Sequence, residues 1–198
     1  MRQFFFLFPA FFALYPASIR SADFQSGQEA SLVLGQSSFS TSATSVAANK
    51  LGSPPSVVVD PVSGRVFVSD RAYNRVLRYA SSESLANGAA ADTVYGQATF
   101  TDALPNRGGS PAANTFSNQY GIHVDSLGRL WVADTGNRRV LMFPNATAAV
   151  PTLTATLVLG QTDFTTGDSF AANSMRLNGP SAVWVDSGDR LWVCDGGN

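Results

Sequence analysis

The sequence predicts an all-β fold assembled from repeated four-stranded units, and three observations carry that prediction. One phrase returns three times, as Leu34-Gly35-Gln36 with Phe39, Tyr95-Gly96-Gln97 with Phe100, and Leu159-Gly160-Gln161 with Phe164. Its glycines lie 61 and 64 residues apart, and two sets of aspartates keep step with them. Asp60, Asp125 and Asp186 recur at intervals of 65 and 61, and Asp70, Asp134 and Asp195 at intervals of 64 and 61. Self-similarity at a fixed period is the signature of a repeat architecture. The third observation is composition: only 14% of residues are charged, while Gly, Ser, Thr, Ala and Asn are plentiful. Such a mix suits short strands joined by polar turns better than long helices.

The second period shows each element in turn. Residues 122–125 form a short, mostly apolar strand, followed by a turn at Ser126-Leu127-Gly128 in which the glycine accepts a positive φ. Residues 129–133 form a second strand, and Asp134-Thr135-Gly136-Asn137 a tight turn whose Asp and Asn side chains bond the local backbone. Residues 139–143 make a third strand and residues 155–160 a fourth. Four short antiparallel strands per period, with no helical periodicity between them, describe the blade of a β-propeller. The repeats run near residues 31–95, 96–159 and 160–198, giving about two and a half blades, preceded by an early strand at residues 32–36. The connections after each Gly-Gln phrase, residues 37–52, 98–117 and 162–178, are long and polar. Residues 81–92 and 145–151 lengthen the step between third and fourth strands.

The run from Gly128 to Val140, Gly-Arg-Leu-Trp-Val-Ala-Asp-Thr-Gly-Asn-Arg-Arg-Val, resembles the NHL repeat core, G-x-L-x-V-A-D-T-G-N-x-R-V. The third repeat follows it over residues 188–198; the first departs, with Arg71-Ala72 in place of Thr-Gly and Tyr73 in place of Asn. The resemblance implies a propeller of, in general, six blades. Against that number the sequence reads as the N-terminal part of a longer protein. The alternatives are a short chain that completes a ring by self-association, or a curved open array.

Residues 1–22 read as a secretory signal: Arg2 supplies the positive start, residues 4–14 an apolar block, and residues 15–22 a small-residue exit. The block is too short to span a bilayer, although an uncleaved anchor is the rival reading, and no span is expected in residues 23–198. The expected location is therefore extracellular, or periplasmic in a bacterium. With 13 basic against 14 acidic residues the formal net charge is −1 and no basic stripe is present, which argues against nucleic acid as a partner. Cys194 is the sole cysteine, so the chain makes no internal disulfide. It falls in the strand slot of Ser69 and Ala133 and is expected to be a small buried residue. Asn145-Ala146-Thr147 is the sole glycosylation sequon, making Asn145 the acceptor in a glycosylating host.

Connectivity places the long inter-blade loops and the Asp-x-x-Asn turns on one propeller face, the natural surface for recognition. The candidate binding residues there are Arg71, Tyr73, Asn137, Arg138 and Asp168, with Asp102, Asn106, Arg107, Asp163 and Arg176 on the same loops. The recurring aspartates, and Arg75 and Arg139 five residues after theirs, are assigned to the scaffold, because what every blade demands is structural first. Trp131, Trp184 and Trp192 share slots with Phe67 or Val58 and are expected between blades.

No catalytic residue is assigned and no cofactor is expected. One histidine, His123, and one cysteine cannot build a zinc site, though a ring of carboxylates at the propeller mouth could hold calcium. The sequence contains no nucleophile elbow and no phosphate-binding loop. The expected function is an exported scaffold binding a protein or carbohydrate ligand. The alternative is a calcium-dependent propeller enzyme of lactonase or lyase type whose site further blades complete. RNA binding, known among NHL proteins, is disfavoured by the export signal and the charge.

Overall fold

The computed structural model describes residues 26–42, 45–168 and 173–197. The chain divides into two compact units, residues 1–31 and 32–198. Of the first, residues 26–31 are described and are exposed; the expected signal segment, 1–22, lies outside the described residues. No helix among the described residues is long and apolar enough to cross a membrane.

The second unit is a partial β-propeller of antiparallel blades. The first blade contains β1 (Ser56–Val59), β2 (Arg65–Asp70), β3 (Arg75–Ser81) and β4 (Thr93–Tyr95), paired in chain order. The second repeats it as β5 (Ile122–Val124), β6 (Leu130–Asp134), β7 (Arg139–Phe143) and β8 (Leu157–Leu159). The third consists of the hairpin β9 (Pro180–Val185) and β10 (Leu191–Asp195). The first strands β1, β5 and β9 follow one another around the array, each in contact with the next. Gly128 has the expected positive φ, 69°.

Two strand expectations need correction. Residues 34–36 form bends and residues 32–33 have no regular structure, so no strand forms here: no strand among the described residues pairs with them. They are held by the loop at 87–88 instead, through Val33 N to Asn87 Oδ1 (2.9 Å) and Gly88 N to Val33 O (3.0 Å). The fourth strand of the second blade is confined to Leu157–Leu159: Ala155 N is already committed to Ala113 O, and Gly160 turns the chain at φ 87°.

Period-two alternation gives each blade two faces, and those that meet another blade are buried. Between the first two blades, Phe67, Val76 and Tyr95 pack against Ile122, Val124, Leu130, Val132, Leu141 and Phe143. Tyr95 meets Phe143 edge-to-face at 5.3 Å, and Phe116 meets Phe143 in the same way at 5.7 Å. Fully burying one such ring is worth up to about 3 kcal/mol. The second and third blades meet through Trp131, Ala133 and Val140 against Val183 and Val185. Trp131 is buried there, as expected. Trp184 and Trp192 are not: they are 54% and 56% exposed, and Cys194 on the same face is exposed too. They occupy the expected slots, but no described blade covers that side of the third hairpin.

What couples strands to loops is a buried ion pair repeated in each complete blade. Arg75 Nε donates to Asp70 Oδ2 at 3.0 Å and Arg139 Nε to Asp134 Oδ2 at 2.8 Å, all four side chains fully buried. The other carboxylate oxygen receives the backbone N–H of the preceding loop: Gly52 to Asp70 at 2.9 Å, Ser117 to Asp134 at 2.7 Å. Asp195 does the same with Asn178 at 3.0 Å. The guanidinium then clamps loops on both sides. Arg75 reaches the carbonyls of Ala47, Lys50 and Phe100; Arg139 reaches those of Ala112, Thr115 and Phe164. The recurring Phe of the repeated phrase thus contributes its carbonyl to the clamp at Phe100 and Phe164.

A second recurrent network closes the first hairpin of blades two and three. Asp125 Oδ2 accepts from Arg129 Nε (2.6 Å) and Trp131 Nε1 (2.7 Å), and Asp186 Oδ2 from Arg190 Nε (2.7 Å) and Trp192 Nε1 (2.9 Å). Burial acts to raise the Asp125 pKa, but the donors from Trp131, Arg129 and Leu127 outweigh it and hold the carboxyl below the usual range.

Arg139→Met should destabilise the fold by about 3–5 kcal/mol in urea denaturation, because it strands a buried carboxylate and frees three loop carbonyls. His123, half-buried on β5 beside the Trp184 ring, is held below its usual pKa chiefly by burial, against the opposing pull of Asp125 and a hydrogen bond with the Val185 backbone. The folded state therefore favours the neutral imidazole. That stabilisation is complete above about pH 6.5, the unfolded value, and is lost as pH falls through the lower folded one. The urea midpoint should drop between pH 7.5 and 5.5, and His123→Gln should flatten that part of the profile.

Candidate functional site

The loop face is organised by the short turns after β2 and β6. Each is a single 3-10 turn, Arg71–Tyr73 and Thr135–Asn137, closed by a residue in the left-handed region: Asn74 at φ 50° and Arg138 at φ 53°. The left-handed residue in each case reaches into the following loop. Asn74 Nδ2 donates to Ala103 O at 2.9 Å, and Arg138 Nη1 donates to Gly167 O at 3.5 Å. Turns and loops do share a face, as the connectivity requires.

The Gly-Gln phrase is the latch between them. Gln97 Nε2 lies within reach of the carbonyls of Tyr73 (3.2 Å), Asn74 (3.1 Å) and Leu104 (2.9 Å). Gln161 Nε2 lies likewise near those of Arg138 (3.3 Å) and Asp168 (3.1 Å). The preceding glycine leaves room for an apolar side chain from the far end of the loop. A Cβ on Gly96 would lie 2.2 Å from the Phe116 ring, and one on Gly160 2.7 Å from Leu177. Leu51 fills the same place over Gly35.

The five candidate residues divide into two groups. Arg71 belongs to the first blade's rim: its guanidinium lies 4.8 Å from the centre of the Tyr120 ring and donates to the Tyr120 hydroxyl. Tyr73 sits half-buried beside it, 5.1 Å beneath the Arg75 guanidinium. Asn137, Arg138 and Asp168 gather on the second rim, around the loop bearing Gly167. Asn137 is buried, with Nδ2 donating to Asp134 Oδ2 at 2.8 Å and Asn106 Oδ1 at 2.9 Å, so it braces the scaffold. Arg138 is half-buried and donates to Asn178 Oδ1 at 3.2 Å. Asp168 is exposed. Asn145, the sequon residue, is exposed in a turn at φ 54°.

Between the Gly-Gln phrase and the loop after the first blade lies a cleft of about 250 Å³, lined by Gln97, Asp102, Leu104 and Arg107. It juxtaposes a carboxylate, a guanidinium and an exposed leucine. Asp102 is oriented by Thr99, whose N–H and hydroxyl both donate to Oδ2, at 2.9 and 2.8 Å. Arg107 is anchored on the carbonyls of Gly96 and Gln97 at 3.3 and 3.0 Å. Among the described residues no group of three His, Cys, Asp or Glu side chains is placed to hold a metal ion. Reasoning from sequence overlooked Tyr120, although it stands where the other repeats have Pro55 and Ser181, and non-recurrence was the available signal.

No protein-family model matches the chain, and no curated protein does. Among solved structures it resembles a streptogramin B lyase, at 14% identity and a TM-score of 0.43. It also resembles the selenomethionine-substituted virginiamycin B lyase of Staphylococcus aureus, at 16% identity and a TM-score of 0.40. Each match covers 70% of this chain and 33% of the other, so the chain spans about a third of the length of the solved structures it resembles. The likeness concerns fold alone.

Gly96→Ala should lower stability by about 1–3 kcal/mol, since the new methyl meets the Phe116 ring at a φ of 86°. Thermal unfolding of Gly96→Ala, Phe116→Ala and the double variant should give a sum well below additive, because one contact is shared.

Proposed function

We propose that this chain is part of an exported, NHL-type recognition scaffold that binds a protein or carbohydrate ligand on its loop face. One observation carries the reading: the residues that recur in the repeats are consumed by the scaffold. Asp70, Asp134, Arg75 and Arg139 are buried in ion pairs, and Gln97 and Gln161 latch turns to loops. The residues that vary remain at the rim, with the Arg71–Tyr120 pair and the Asp102–Arg107 cleft as its two most featured patches. Arginine stacked on tyrosine supplies a rigid, amphipathic contact of the kind that concentrates binding energy. Loop residues that differ from repeat to repeat, carried on a rigid frame, are what a recognition surface requires.

The secreted protein should therefore retain at least one partner on combined glycan and peptide arrays. Arg71→Ala, Tyr120→Ala or Arg107→Ala should weaken that binding about tenfold or more, roughly 1.4 kcal/mol, with unchanged circular dichroism. Binding indifferent to all three substitutions would move the site off this face. Turnover of lactone or lyase substrates, abolished by a calcium chelator, would replace the binding reading with an enzymatic one.

A further inference from the structure

Irregularity on the loop face is concentrated in one stretch, from Gln97 to Arg107, in the connection between the two complete blades. Asn106 and Arg107 are consecutive non-glycine residues in the left-handed region, at φ 50° and 55°, and strain of this kind clusters at ligand-binding sites. Gln97 Oε1 is buried without a hydrogen-bond partner, whereas Gln161 Oε1, its counterpart in the next repeat, accepts from Arg176 Nη1 at 3.4 Å. Seven residues beyond each Gln stands a residue whose carbonyl it latches, Asp168 in one connection and Leu104 in the other. Leu104 is 64% exposed and shares a cleft with two charges, Asp102 and Arg107. Among the described residues neither of these charges forms an ion pair. Stability alone would not gather an orphaned buried acceptor, a strained arginine and an unpaired carboxylate at one spot.

The cleft holds about 250 Å³, and its walls all come from residues 97–107, so a single connection builds it. Its free valences are few and defined. Arg107 spends Nε and Nη2 on the carbonyls of Gly96 and Gln97, which fixes the guanidinium plane and leaves its Nη1 end to the cleft. Asp102 Oδ2 takes both donors of Thr99, so Oδ1 is the remaining acceptor. A rigid guanidinium end is matched by a carboxylate, a free carboxylate oxygen by an N–H donor, and an exposed leucine by an apolar side chain. An amino-acid unit with a free carboxylate carries all three. We infer that the cleft takes the C-terminal residue of a partner protein, with its carboxylate on Arg107, its backbone N–H on Asp102 and an apolar side chain on Leu104. A cleft this small and open encloses too little of a free amino acid to hold it well. The end of a longer chain gains its remaining contacts from the surrounding loops. The inference rests on the loop-face reading and narrows its ligand to a protein with a free, apolar C-terminus.

Hexapeptides that differ in their last residue, each made as the free acid and as the C-terminal amide, test this on the whole secreted protein by fluorescence polarisation. Free acids ending in Leu, Ile, Val or Met should bind, and amidation should weaken them about tenfold or more, as loss of a charge-assisted contact does. Arg107→Gln should bind acid and amide alike, a loss of discrimination that a merely structural role would not produce. Leu104→Asp installs the residue of the next connection at an exposed position. It should keep the urea midpoint and weaken the free acids about tenfold as well. Failure of every hexapeptide to bind, or equal binding of acid and amide by the wild type, would overturn the inference. Discrimination that survives Arg107→Gln would do so too. Free L-leucine bound as tightly as the best peptide would also overturn it, because the site would then serve an amino acid. Partners found only among glycans would overturn it while leaving the loop-face reading standing, whereas the absence of any array partner would remove both.

Discussion

A fully buried Asp–Arg pair in each complete blade is the constraint from which the rest of the structure follows. Taking two charges out of water is costly, and an apolar pair of equal volume often serves stability as well. What apolar residues cannot do is direct a fork of donors at carbonyls from two different loops while accepting an amide from one of them. Asp134 and Arg139 together fix Ala112, Thr115, Ser117 and Phe164, which lie on both sides of the second blade. The pair is therefore the point at which strand geometry is transmitted to the loops, and its recurrence explains why the period tolerates connections of differing length.

Around that point the packing is layered. Each blade contributes two faces of alternate side chains, and aromatic rings run through the aliphatic layer between the first two blades, where Tyr95, Phe116 and Phe143 form a continuous edge-to-face chain. Phe116 belongs to this layer although it comes from a loop, because Gly96 leaves it room to enter. Loop and core are thus not separable compartments: each long connection ends on an apolar residue that lies in the core, as Phe116 does, or packs against it, as Leu51 and Leu177 do.

How much of this was legible depended on whether a residue's environment is set within its own repeat. The Asp–Arg pairing was readable from a constant five-residue spacing, and the blade strands from short apolar runs between turn residues. Leu51, Phe116 and Leu177 went unread as equivalents although each is a large apolar residue nine positions before Asp60, Asp125 or Asp186, because the loops that precede them differ in length and composition. Asn137 looked like a surface turn residue because turns are usually polar and wet, yet its amide is drawn inward by Asp134 and Asn106. Cys194 and Trp192 illustrate the opposite failure. Their slots are those of buried residues, but burial of a blade face is decided by the adjacent blade, and no local pattern carries that information. The rim was legible only as a face; that Arg71 would find Tyr120 across a sequence distance of 49 residues was not.

The double anchoring of the long connection between the first and second blades has an evolutionary corollary. The segment from Phe100 to Ala112 is held at one end by Arg75 and at the other by Arg139. Apart from the further bonds at Ala103, Leu104 and Asn106, the chain between those points can lengthen or change sequence with only a slowly growing entropic cost. That loop behaves as a replaceable cassette, bounded by docking points that belong to the frame. A lineage carrying this frame could diversify what it recognises through that cassette, leaving every blade intact.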